Sequence, residues 1–122
     1  MAKRILVVED NDLNRRLFCD VLQAGGFDVE SVADGTAAID TARAFFPNLV
    51  VMDIQLQDVS GLDLITTLKS DTTLADVPVL AVTAYAGKGD EQRIREIGAE
   101  GYLSKPVSIG PFMAAVKGLV GA

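Results

Sequence analysis

Five residues carry most of the chemistry open to this chain, and each follows a short, mostly apolar run. Glu9 and Asp10 come after residues 5–8, Asp53 after 49–52, Thr83 after 79–82, and Lys105 after the weaker run 101–104. If those ends meet, three carboxylates, one hydroxyl and one ammonium share a site. Two like charges ~4 Å apart repel by roughly 4 kcal/mol even at an effective dielectric near ~20, so the carboxylates cannot stay unneutralised. Lys105 offsets one charge, and the remainder calls for a divalent cation or raised pKa values. An oxygen donor set without imidazole or thiolate suits Mg²⁺, with Mn²⁺ as a substitute, rather than zinc or copper. Mg²⁺ uses one or two carboxylates and engages phosphate oxygens, so a metal-dependent phosphoryl site is the expectation. Taken singly, each residue has a plainer use: a post-strand Asp as helix cap or solvated acid, Thr83 as turn hydroxyl, Lys105 as surface charge. The joint placement at successive run ends is what argues for a site.

The elements that must position these groups can be read from periodicity. Residues 5–8, 49–52 and 79–82 are continuous apolar runs, as in strands covered on both faces, and 29–32 and 101–104 complete the set. Between them the spacing is helical. Leu13, Leu17, Phe18, Val21 and Leu22 make one stripe, and Gly25-Gly26 supplies a left-handed stop. A second helix starts near Gly35, turns Ala38, Ile39 and Ala42 inward, and ends before Pro47. Ser60 and Asp63 resemble a capping box for a third helix bearing Leu62, Ile65 and Leu68. Glu91 and Arg95 pair on a fourth helix closed by Gly98. Ser108 and Pro111 open a fifth, with Phe112, Ala115, Val116 and Leu119 inward. This βα pattern repeated five times is an α/β fold, a doubly wound parallel sheet with helices on both faces. In such a sheet the carboxyl ends of the strands share one edge, where ligands bind.

Composition narrows the function. The 122 residues, 49% hydrophobic and 23% charged, predict one compact domain over 1–122 with no output domain. Seventeen acidic against 11 basic residues give a net charge of −6, and no basic stripe speaks for nucleic acid. No apolar stretch approaches the ~20 residues of a membrane span, and no signal-peptide pattern opens the chain, so a cytoplasmic protein is expected. Cys19 is the single cysteine and reads as packing. With no histidine, Ser-His-Asp and Cys-His catalysis and a phosphohistidine carrier are excluded.

The runs ILVVEDN, VVMDI, VLAVTA and YLSKP together resemble the receiver domain of bacterial two-component response regulators, over residues 3 to about 120. The finer wording, with EDNDLN, MDIQL, SGLDL and TAYAGKGDEQRIREIGAEGYLSKP, is most similar to the DivK group of single-domain regulators, associated with cell-cycle and polarity control in alphaproteobacteria. The resemblance implies a flavodoxin-like or CheY-like sheet of order 2-1-3-4-5. It implies that Asp53 takes a phosphoryl group from a sensor histidine kinase. Asp10 would hold Mg²⁺ directly and Glu9 through water, with Asp53 and the Gln55 carbonyl as further ligands. Thr83 and Lys105 would contact phosphoryl oxygens, with the Lys105-Pro106 bond cis. Such a protein is a phosphoacceptor rather than an enzyme, catalysing only its own phosphorylation and slow autodephosphorylation. Thr83 and Tyr102 would form the switch, and Gln55 and Tyr85 would tune acyl-phosphate lifetime. Asn14, Leu17 and Pro106 would meet the kinase. A phosphatase and a downstream protein, the latter on the fourth helix, fifth strand and fifth helix, are the other expected partners. Expected too are a monomer or weak dimer, no membrane insertion, and recruitment to membrane-bound kinases.

One position departs from the pattern: Gln57 stands where many receivers have proline, which predicts a less rigid loop after Asp53. Other readings fit less well. An aspartyl-phosphate hydrolase of the haloacid dehalogenase type needs a second Asp where this chain has Gln55. A flavodoxin-like FMN site needs a Ser/Thr-rich first loop where this chain has Glu9-Asp10-Asn11-Asp12, which repels phosphate unless a metal intervenes. Asp10, Asp12 and Asn14 fit the first oxygen positions of an EF-hand, but Arg15 and Val21 replace its Gly and final Glu. A receiver that binds partners without phosphorylation is the remaining rival.

Overall fold

The computed structural model describes residues 2–84 and 89–121. Five strands, β1 (Arg4–Val8), β2 (Asp28–Val32), β3 (Leu49–Asp53), β4 (Val79–Thr83) and β5 (Gly101–Ser104), alternate with five α-helices. The helices are α1 (Asp12–Ala24), α2 (Ala38–Phe45), α3 (Gly61–Ser70), α4 (Asp90–Ile97) and α5 (Ile109–Val120). All strand pairs are parallel, in the order β2-β1-β3-β4-β5. The inner strands β1, β3 and β4 are buried on both faces over almost their whole length, which is why their sequences run apolar without alternation. The edge strands β2 and β5 are only partly covered and carry polar residues such as Glu30, Ser31 and Ser104.

Successive side chains on the inner strands feed two cores. Leu6, Val8, Val50, Met52, Val79 and Ala81 pack under α2, α3 and α4, while Ile5, Val7, Leu49, Val51, Leu80 and Val82 pack against α1 and α5. Phe18 of α1 stacks on Phe112 of α5 with ring centroids 5.0 Å apart, closing the second core. Full burial of such a ring is worth roughly 1.5–3 kcal/mol.

The helix ends follow local chemistry, with some corrections to the expected pattern. Asn11 caps α1 by accepting from the Asn14 N–H at 2.9 Å. At the other end the Gly26 N–H bonds Gln23 and the Phe27 N–H bonds Leu22. That pairing is the Schellman arrangement, and only Gly26, not Gly25, takes the left-handed backbone, at φ 92°. The five-residue stripe on α1 is too broad: Phe18 and Leu22 are buried, but Leu13 is 78% and Leu17 43% exposed. At 3.6 residues per turn Leu13 lies on the opposite side of the helix from Leu22.

Gly35 opens a 3₁₀ turn, Gly35–Ala37, before α2 proper begins at Ala38. The stop of α2 is Phe46, left-handed at φ 54°, just ahead of Pro47. Ser60 caps α3 through the Leu62 N–H rather than that of Asp63, so the capping box does not form as expected. Ser108 precedes α5 without a side-chain cap bond, and Pro111 sits at its third residue rather than its first.

Candidate functional site

The parallel register carries the five polar groups to one edge. Val8 pairs with Met52, Asp53 with Val82, and Thr83 with Ser104. Glu9 and Lys105 each lie one residue beyond their strands. Main-chain bonds extend the sheet past its formal end, from Glu9 N–H to the Val32 carbonyl at 3.1 Å and from Lys105 N–H to the Thr83 carbonyl at 2.7 Å. Among the described residues Glu9, Asp53 and Thr83 are the buried polar side chains, at 1%, 3% and 1% exposure. Burying such groups is costly without partners, so their concentration at one edge marks a site rather than a packing solution.

Lys105 Nζ lies 2.8 Å from Glu9 Oε1 and 3.4 Å from Asp53 Oδ2. Glu9 Oε2 also accepts the Asn11 N–H at 3.2 Å, and Asp53 Oδ1 the Gln55 N–H at 3.0 Å. Half-buried Asp10 accepts the Gln57 N–H on Oδ2 at 2.9 Å. Burial pushes the Glu9 carboxyl up from 4.5 to about 7, with Asp53 beside it adding to the rise and Lys105 only partly opposing it. Burial alone would lower the Lys105 pKa, but the bonds and charges of Glu9 and Asp53 raise it overall. One ammonium therefore faces two acids, with Asp10 as a third acid close by.

Oxygens of Glu9, Asp10 and Asp53 lie within 4.8 Å of one another. This donor set fits a small hard cation such as Mg²⁺: it is all oxygen, and burial already disfavours the negative charge of Glu9.

The loops around the cluster are tied to it. Gln55 Oε1 accepts the Ala84 N–H at 3.0 Å, joining the loops that follow β3 and β4. α3 begins directly on the end of β3, since the Gly61 N–H donates to the Ile54 carbonyl at 3.1 Å. A Cβ at Gly61 would collide with the Asp53 carbonyl oxygen and sit 2.6 Å from Ile54 Cα. Thr83 lines a cavity of about 150 Å³ with Ile54, Leu62 and Ile94. Half-buried Tyr102 packs against the core under α3 and α4, its phenol pushed up by burial and then by Glu91 and Asp90. Asn14, Leu17 and Pro106 share a groove of about 340 Å³ beside Lys105, and the Lys105-Pro106 peptide is cis. Tyr85 lies outside the described residues.

Three contacts escaped sequence reasoning. Gln57 reaches Asp10 through its main chain. Arg15 donates to the Glu9 carbonyl at 3.1 Å while pairing with Asp12 at 2.6 Å. Asp58 Oδ2 accepts the Thr36 N–H at 3.2 Å, tying the post-β3 loop to the turn before α2. Main-chain donors carry no signature in residue type, and Arg15 reads as ordinary helix surface.

Residues 5–117 match the family described as the response regulator receiver domain. The chain belongs to that family. This receiver domain is 47% identical over 121 residues to the polar-differentiation response regulator DivK of Brucella ovis, covering 99% of this chain and 98% of that protein. DivK of Brucella anthropi is similar at the same identity and coverage. Among solved structures, a putative response regulator from Chloroflexus aurantiacus superimposes with a TM-score of 0.94 at 24% identity, covering 100% of both chains. A CheY-like receiver domain protein from Methanospirillum hungatei gives 0.91 at 26%, covering 99% of this receiver and 95% of that chain. The fold expected from the sequence, with its strand order, is thus the fold found. No helix among the described residues is long and apolar enough to cross a membrane.

Proposed function

We propose that this receiver accepts a phosphoryl group on Asp53 from the phosphohistidine of a sensor kinase, with Mg²⁺ bound by the acidic cluster, and signals through protein contacts. The observation that supports this most is Asp53 itself, a buried carboxylate at a strand end with an ammonium at 3.4 Å and two further acids beside it. In the transfer an Asp53 oxygen bonds to phosphorus as the bond from phosphorus to the histidine nitrogen breaks, leaving a neutral imidazole once a proton is supplied. Such transfers depend on positioning and charge neutralisation more than on covalent help. Lys105 holds a phosphoryl oxygen, and the Thr83 hydroxyl donates to another. Glu9, Asp10, Asp53 and the Gln55 carbonyl would hold the cation, which when bound neutralises charge on the transferring group. Gln55 screens the acyl phosphate from water.

Readout follows from coupling. Thr83 ends β4 at the wall of the cavity under α4, and Tyr102 of the neighbouring β5 packs against the same core, so drawing Thr83 towards a phosphoryl group alters the α4, β5 and α5 face. The kinase docks on the groove of Asn14, Leu17 and Pro106, which opens beside Lys105 and carries exposed apolar side chains. Similarity to DivK supports a role in cell polarity or division control, with a phosphatase resetting the switch. The test is transfer from an autophosphorylated histidine kinase: label moves to this chain in Mg²⁺, and Leu17→Ala slows that transfer while labelling by a small phosphodonor stays normal. Equal transfer to Leu17→Ala removes the docking assignment, and no transfer from any kinase of the native cell contradicts the phosphorelay.

A further inference from the structure

Each of the three acids in the cluster is held by a main-chain amide, and the three amides differ in origin. Glu9 takes its donor from Asn11 and Asp53 from Gln55, both two residues along the chain. Asp10 takes its donor from Gln57, 47 residues away on the opposite loop. The first two bonds are local turn geometry, available to any sequence with a free amide there. The third exists only because position 57 is not proline, which has no N–H to give.

Asp10 is also the acid with most freedom. Glu9 and Asp53 are walled in and share Lys105, whereas Asp10 is half-buried and makes no bond to Lys105 among the described residues. Two effects of the Gln57 amide compete. It draws some charge from the carboxylate, which weakens a cation's hold, and it fixes the side chain on Oδ2, leaving the second oxygen presented without further ordering cost. Amide bonds to carboxylates are among the stronger hydrogen bonds, and losing an outer partner of a ligand typically costs 10–100-fold in metal affinity, so positioning prevails.

We propose that the main-chain amide of Gln57 is a positioning group for the divalent cation, orienting Asp10 from the loop that carries Gln55 and thereby coupling the order of that loop to cation binding. This rests on reading the cluster as the Mg²⁺ site.

The experiment is calorimetric titration of MgCl₂ into the full chain without any phosphodonor, for wild type, Gln57→Pro and Gln57→Ala. The alanine variant keeps the amide and is the side-chain control. Affinity should fall about 10-fold or more in Gln57→Pro and stay within about 2-fold in Gln57→Ala. Wild-type affinity in Gln57→Pro, or an equal loss in Gln57→Ala, overturns the proposal while leaving the Mg²⁺ site standing. A wild type that takes up no Mg²⁺ overturns both. Should Gln57→Pro not fold, the Gln57 amide proton decides by NMR: its resonance should move on adding MgCl₂ and shift upfield in Asp10→Ala, and indifference to both removes the coupling.

Discussion

Lys105 and Glu9, 96 residues apart in the chain, form a 2.8 Å ion pair at the carboxyl edge of the sheet, and the ammonium is closer to Glu9 than to Asp53. The unmodified site is therefore charge-balanced around the first strand's acid rather than around the proposed acceptor. A phosphoryl group on Asp53 replaces one negative charge by about two, spread over three oxygens, and gives Lys105 a reason to turn from Glu9.

Replacing Lys105 by Met should slow phosphoryl uptake by Asp53 about 10²-fold, the usual effect of removing one donor aimed at developing charge. The variant should remain folded, because the Glu9 carboxyl, already held near 7, can take up a proton. The rate of mass gain from acetyl phosphate, alongside circular dichroism, checks both halves.

Gly61 should not tolerate a methyl group. The atoms a Cβ would meet are the Asp53 carbonyl oxygen and Ile54 Cα, backbone that cannot swing aside. Gly61→Ala is expected to cost about 2–3 kcal/mol in urea unfolding, in the range of overpacked sites, and to disturb the Asp53 amide resonance.

These expectations show how far the residue string reaches. Strands covered on both faces were legible because burial on each side demands uninterrupted Val, Ile and Leu, and the edge set the place of Asp53, Thr83 and Lys105. What the string could not show is which groups the main chain donates to them: Gln57 N–H on Asp10 and Asn11 N–H on Glu9 depend on loop path alone. Leu13 and Leu17 misled for a related reason, since spacing places them on a helix but does not say how wide a face the sheet will cover.

Phe46 ends α2 in a left-handed conformation that costs an L-residue with a Cβ roughly 1–2 kcal/mol, and its side chain is 59% exposed. Little packing is lost with the ring, so Phe46→Gly should raise stability by about 0.5–1 kcal/mol after the entropy cost of glycine. A rise in melting temperature checks it.

Acid should expose the role of Asp71 at the end of α3. Bonds from Thr73 first, and from Arg43 at 2.8 Å, hold its carboxyl down from 3.8 to about 2. A depressed folded value means stability that is present above the ordinary carboxylate range and lost as pH falls through about 2. Asp71→Asn should therefore melt below wild type at pH 6, with the gap closing as the pH approaches 2.

The central claim is that Asp53 is the phosphoacceptor of a cation-dependent switch. Intact mass after incubation with Mg²⁺ and acetyl phosphate tests it most directly. One labile phosphoryl group should appear on wild type and be absent from Asp53→Asn and from wild type in excess chelator; a label that persists in Asp53→Asn, or forms equally without divalent cation, contradicts the account.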